Sequence, residues 1–132
     1  MAPGKRILIA DDDKMFVSFV VEALSGGGVA LDTAFEGEDA LSKALSGGYD
    51  LIILDVMMPK VDGYHICSQL VHSLGERAPK VLIVTARDTK MEKGIAIMAG
   101  AVAVLQKPFL VKELRAKVAE LLGPTTTPQN LA

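Results

Sequence analysis

The sequence holds one cysteine, Cys67, in 132 residues. An internal disulfide and a thiolate metal cage are therefore excluded, as expected of a chain living in a reducing compartment. A basic excess is also missing: 14 Lys and Arg stand against 16 Asp and Glu, a net charge of −2, which removes the electrostatic footprint of a nucleic-acid binder. No apolar run approaches the ~20 residues that a bilayer-spanning helix needs. Met1 to Arg6 leads straight into a strand-like run without the apolar core and cleavage site of a secretion signal. The expectation is a cytoplasmic protein that touches neither membrane nor nucleic acid. Gly26-Gly27-Gly28 lacks the Gly-Lys-Ser/Thr ending of a P-loop and reads as a turn. His65 and His72 lack a third metal ligand and read as solvated side chains. Cys67 reads as a small packed residue.

What is present is a globular balance, with 50% apolar and 23% charged residues and enough length for one domain with its own core. Ile7-Leu8-Ile9-Ala10, Leu51-Ile52-Ile53-Leu54 and Val81-Leu82-Ile83-Val84 are short continuous apolar runs, the mark of parallel strands buried on both faces. Val29 to Ala34 and Ala101 to Leu105 are weaker candidates, suited to sheet edges. Helical patterns lie between them. The first spans about Lys14 to Ser25, with Phe16, Phe19, Val20, Ala23 and Leu24 on its apolar stripe. The second spans about Gly37 to Ser46, repeats Ala40, Leu41, Ala44 and Leu45, and ends at Gly47-Gly48. A third follows Gly63, a fourth starts near Asp88, and a fifth runs from about Val111 to Leu122 with Leu114, Val118 and Leu121 inward. Five β–α repeats predict right-handed crossovers, a doubly wound parallel α/β sheet and a crevice at the carboxyl ends of the strands. Residues 1–122 make this domain. The polar stretch 123–132, with two prolines, reads as a flexible tail or the start of a linker.

The strand ends supply Asp11, Asp12 and Asp13 after the first strand, Asp55 at the third, Thr85 at the fourth and Lys107-Pro108 after the fifth. Asp11, Asp12 and Asp55 would share one small pocket. Two unit charges ~4 Å apart repel by about 4 kcal/mol at an effective dielectric near ~20, so such a cluster needs a counterion. Hard oxygen ligands suit Mg²⁺ better than zinc or copper. Lys107 adds a mobile cation and Thr85 an uncharged donor. Together they can neutralise a phosphoryl group in flight, which is most of what phosphoryl transfer asks of a protein. Asp13 reads as a helix N-cap only.

Here the sequence resembles a family. Ile7 to Asp13, Leu54-Asp55-Val56-Met57-Met58-Pro59 with Asp62-Gly63, Val84-Thr85-Ala86-Arg87 and Lys107-Pro108-Phe109 look like the four signature blocks of the response-regulator receiver domain, in order and at the family's spacing. The resemblance implies a (βα)5 flavodoxin-like fold with strand order 2-1-3-4-5. It further implies that Asp55 accepts a phosphoryl group from a sensor histidine kinase, a phosphotransfer protein or a small donor such as acetyl phosphate. Asp12, Asp55 and the backbone carbonyl of Met57 would bind Mg²⁺, with Asp11 acting through water. Lys107 would pair with Asp55 and then with phosphate, Thr85 would hydrogen-bond the phosphate and start the switch, and Lys107-Pro108 would be a cis peptide. Such a domain phosphorylates and dephosphorylates itself and is not a turnover enzyme. In a longer parent it would precede a C-terminal output domain.

The family usually carries an aromatic three residues before the lysine, where this chain has Val104, a stiff side chain with no ring to bury or expose. Val102 and Ala103 stand where the DNA-binding subfamily often has acidic residues, so the output face is expected to be apolar and to bind by packing. A haloacid-dehalogenase-like phosphatase is the competing enzyme. Its first motif needs Thr or Val where Met15 stands, and Asp55 would have no role. A flavodoxin-like carrier would need a first loop that welcomes phosphate, and three aspartates repel it. The remaining alternative is a receiver used as a phosphorylation-independent binding module.

Overall fold

The structure, a computed structural model, describes residues 4–87 and 89–123. The tail from position 124, the start of the chain before Gly4 and the expected helix start at Asp88 lie outside the described residues. Ten elements alternate: β1 (Arg6–Ala10), α1 (Lys14–Leu24), β2 (Ala30–Ala34), α2 (Gly37–Ser46), β3 (Leu51–Asp55), α3 (Gly63–Leu74), β4 (Lys80–Thr85), α4 (Thr89–Ala99), β5 (Ala103–Gln106) and α5 (Val111–Leu122), with a short 3-10 turn at Gly75–Arg77. All strand pairs are parallel, and the sheet order is β2-β1-β3-β4-β5. The fold is thus the flavodoxin-like (βα)5 architecture. β2 and β5, the weak apolar runs, are the two edges.

The continuous apolar runs are explained by two half-cores. Alternate residues of a strand point to opposite faces. Leu8, Ala10, Ile52, Leu54, Val81 and Ile83 pack on one face against Ala40 and Ala44 of α2, Ile66, Cys67 and Leu70 of α3 and Ala96 of α4. Ile7, Ile9, Leu51, Ile53, Leu82 and Val84 pack on the other against Val17, Val20, Ala23 and Leu24 of α1 and Leu114, Val118 and Leu121 of α5. Each such aliphatic side chain contributes about 1.5–3 kcal/mol on burial. Cys67 is fully buried, as expected of a small packed residue, while His65 and His72 are exposed.

The first helix corrects the expected stripe. Val17, absent from it, is buried, and Phe19, placed in it, is 37% exposed. Phe16 and Phe19 lie at the edge of α1 and turn towards Phe109 in the β5–α5 loop, with ring centroids 5.8 and 6.0 Å away. On α2 the alanines are buried and Leu45 is exposed, so this helix meets the sheet through small side chains. β5 begins two residues later than expected because Ala101 and Val102 still belong to the approach loop.

Candidate functional site

Register brings the chemistry to one end of the sheet. Ala10 lies opposite Leu54, so Asp11 follows β1 beside Asp55 at the end of β3. Asp55 pairs with Val84, and Thr85 pairs with Gln106, which carries Lys107 to the same edge. The Lys107 backbone N–H donates to the Thr85 carbonyl at 2.7 Å. Lys107-Pro108 is cis, as the resemblance implied.

The Asp11-Asp12-Asp13 loop divides its labour. Asp13 caps α1, accepting from the N–H groups of Met15 and Phe16 at 3.0 and 3.2 Å. Asp11 is 1% exposed, and one of its oxygens accepts the Asp13 N–H at 3.0 Å. Asp12 faces solvent. One carboxylate oxygen from each of Asp11, Asp12 and Asp55 can be chosen so that all lie within 4.8 Å of one another. Two buried carboxylates and one open to water form a hard-oxygen donor set that fits a Mg²⁺ ion keeping several waters.

Burial, and next the charge of Asp11, push the Asp55 carboxyl up to about 6, while Lys107 and the N–H of Met57 pull against that rise. That N–H donates to Asp55 Oδ1 at 3.2 Å. The lysine differs from expectation. Its Nζ forms an ion pair with Asp11 Oδ2 at 2.9 Å, where the resemblance implied a pairing with Asp55. The physical reason is burial: Asp11 is the most deeply buried carboxylate of the three, and a buried charge left without a partner is costly.

Thr85 is fully buried, and its hydroxyl oxygen accepts the Arg87 N–H at 3.1 Å. Val104 is half-buried against the α2–α3–α4 half-core. Met91, Ile95, Met98 and Val102 are exposed on α4 and the loop that follows, with exposed Lys93 on the same helix.

Sequence reasoning missed two features. Glu92 of α4 is 5% exposed and accepts from the Tyr64 hydroxyl of α3, with Arg87 3.6 Å away. Burial and then Glu92 hold the Tyr64 hydroxyl above its ordinary range. The available signal was position: Glu92 stands one turn before the buried Ala96 and so on the inner face of α4. The second is steric. A Cβ on Gly63 would lie 2.5 Å from Val56 Cα and 2.7 Å from the Asp55 carbonyl oxygen, so only glycine lets α3 start against the acidic loop. Gly63→Ala is expected to cost about 2 kcal/mol, measured by urea unfolding, because backbone and not a flexible side chain must yield. Unchanged stability would contradict that packing.

These features can be set beside known proteins. The response regulator receiver domain family matches residues 7–119. The response regulator MprA of Mycolicibacterium vanbaalenii is 40% identical over 121 residues, covering 92% of this chain and 52% of the relative. The chain therefore spans about half the length of the curated relatives it matches. Among solved structures, a two-component response regulator from Clostridium difficile superposes with a TM-score of 0.82 at 27% identity, covering 93% of this chain and 99% of that one. A CheY-like receiver domain protein from Methanospirillum hungatei JF-1 gives 0.81 at 27% identity, with 89% and 93% covered. Among the described residues, no helix is long and apolar enough to cross a membrane.

Proposed function

Since this chain belongs to the response regulator receiver domain family, we propose that its working parts are Asp55 as phosphoacceptor, Asp12, Asp55 and the Met57 carbonyl as Mg²⁺ ligands, and Lys107 and Thr85 as the groups that receive the phosphoryl oxygens. The domain is the receiver of a two-component response regulator and not a turnover enzyme. The observation that carries the assignment is the acidic cluster: one carboxylate oxygen from each of Asp11, Asp12 and Asp55 within 4.8 Å of the others, with the Lys107 ammonium 2.9 Å from Asp11 Oδ2.

In the proposed step an Asp55 carboxylate oxygen forms a bond to phosphorus as the bond from phosphorus to the donor atom, nitrogen or oxygen, breaks. The leaving group (a histidine nitrogen in a kinase or phosphotransfer protein, acetate in acetyl phosphate) departs with the electron pair. Asp55 serves as nucleophile because the ends of β1 and β3 hold it beside the other carboxylates, and its acceptance of the Met57 N–H orients it. Bound Mg²⁺ supplies charge neutralisation for the carboxylates and the incoming phosphoryl oxygens. Lys107, now 2.9 Å from Asp11 Oδ2, would exchange that carboxylate for a phosphoryl oxygen. Thr85 is the first moving part: a hydroxyl turned to phosphate loosens its bond to the Arg87 N–H and so the start of the β4–α4 loop. Output would then pass through α4 and the Val104 side, to a C-terminal output domain or another partner that packs on Met98 and Val102. The location that suits such a switch is the cytoplasm.

Titration with beryllofluoride and Mg²⁺, followed by amide NMR, tests the assignment. Shifts should concentrate at Asp12, Asp55, Met57, Thr85 and Lys107 and then spread to Val104. A phosphorylation-independent binding module would leave all of these unchanged.

A further inference from the structure

Lys107 has a second neighbour besides Asp11. Its ammonium lies over the ring of Phe16, 4.0 Å from the centroid. A cation facing an aromatic face is attracted by the ring's quadrupole, and more strongly when water is partly excluded. The Lys107 side chain is only 23% exposed, which meets that condition. Phe16 is not free to drift. Its backbone N–H is held by the Asp13 cap at 3.2 Å, so the loop that carries Asp11 and Asp12 also sets the ring's position. Phe109 braces the ring edge-on at 5.8 Å, and Phe19 lies 6.2 Å from it on the next turn. Phe109 is two residues after Lys107, so the same aromatic trio fixes both the backbone that carries the lysine and the surface under its ammonium.

We propose that Phe16 is a positioning residue for Lys107: its ring face seats the ammonium at the mouth of the acidic pocket. The seat limits where a long, flexible side chain can travel. Lysine carries a compact charge on four methylenes and loses considerable rotamer freedom whenever it is held in one place. With the ring beneath it, the ammonium exchanges one oxygen partner for another, Asp11 for a phosphoryl oxygen, without swinging into solvent. The consequence for phosphoryl transfer rests on the function proposed above; the seat itself does not.

The test is a graded one. The initial rate of phosphoryl uptake from acetyl phosphate with Mg²⁺ is measured by intact mass for the wild type, Phe16→Leu, Phe16→Tyr and chains in which Phe16 carries one, two or three ring fluorines. Fluorines withdraw charge from the ring face while scarcely changing its size. Phe16→Leu should slow uptake about fivefold, Phe16→Tyr should stay within about twofold of the wild type, and the fluorinated chains should fall stepwise between wild type and Leu. In a Lys107→Met background the whole series should be flat. A flat series with Lys107 present, or an equal slope without it, would overturn the proposal and leave Phe16 a packing residue. If the wild type takes up no phosphoryl group, the proposed function fails and the seat is judged by NMR alone. A ring-current upfield shift of the Lys107 ε-methylene that is lost in Phe16→Leu supports the seat, and its absence from the wild type overturns it.

Discussion

Asp55→Asn should accept no phosphoryl group and yet, in buffer with a chelator and no Mg²⁺, unfold at higher urea than the wild type. The reason is the environment of Asp55, whose carboxyl is raised from 3.8 to about 6 by burial and by the neighbouring Asp11 charge. A raised folded-state value means that between pH ~4 and ~6 the native protein keeps a proton the unfolded chain has lost. Stability therefore falls as pH rises through that window, and the deficit persists at neutral pH. Asparagine has the same shape, keeps an oxygen to accept the Met57 N–H and carries no charge. The expected gain is on the order of 2 kcal/mol at pH 7, shrinking towards zero below pH ~4. Mg²⁺ should narrow it further, because an ion that binds the native wild type stabilises it by mass action. Equal stability of the two proteins at pH 7 without Mg²⁺ would show that the carboxylates are not in conflict.

Lys107→Met should move the opposite way. Asp11 is 1% exposed and forms an ion pair with Lys107 at 2.9 Å. Methionine keeps the apolar stem but leaves Asp11 buried without that cation, and breaking a buried pair from one side costs about 3 kcal/mol. The diagnostic is the second substitution. Asp11→Asn placed on Lys107→Met should recover most of the loss, because the charge left without a partner is then removed. Phosphoryl uptake should fall by about a hundredfold in Lys107→Met, the usual effect of deleting one group that stabilises developing charge. Asp11→Asn should not restore it. A rescue of uptake together with stability would mean that Lys107 acts only as a structural counterion.

The opposite signs of these two substitutions express one physical fact. The acidic pocket is a site where stability is surrendered to hold charges close together, and a cation is what relieves it. Sequence reasoning reached the sheet because the buried strands carry unbroken apolar runs, which have few readings once helices alternate between them. The edges were less legible: Ala101 and Val102 are as apolar as β5 itself, and only hydrogen bonding separates strand from approach loop. On α1, Phe19 outranks Val17 in size, and periodicity alone does not say that an aromatic cluster beyond the sheet claims the larger side chain.

At the site, strand-end position was enough to bring Asp11, Asp12, Asp55, Thr85 and Lys107 to one edge. Pairing was not legible. Which carboxylate takes the lysine depends on relative burial, and relative burial is a property of packing. The Tyr64–Glu92–Arg87 cluster was hidden for the same reason, since a glutamate in an ordinary helix reads as solvated until its neighbours are in place. The lysine seat was hidden too. Phe16 belongs to α1 and Lys107 to the far edge of the sheet, and nothing local connects them.

The most direct measurement is intact mass after incubation of the chain with acetyl phosphate, with and without Mg²⁺, beside Asp55→Asn. The account predicts the gain of one phosphoryl group that requires Mg²⁺ and is absent from Asp55→Asn. No gain in the wild type, or an equal gain in Asp55→Asn, would contradict it.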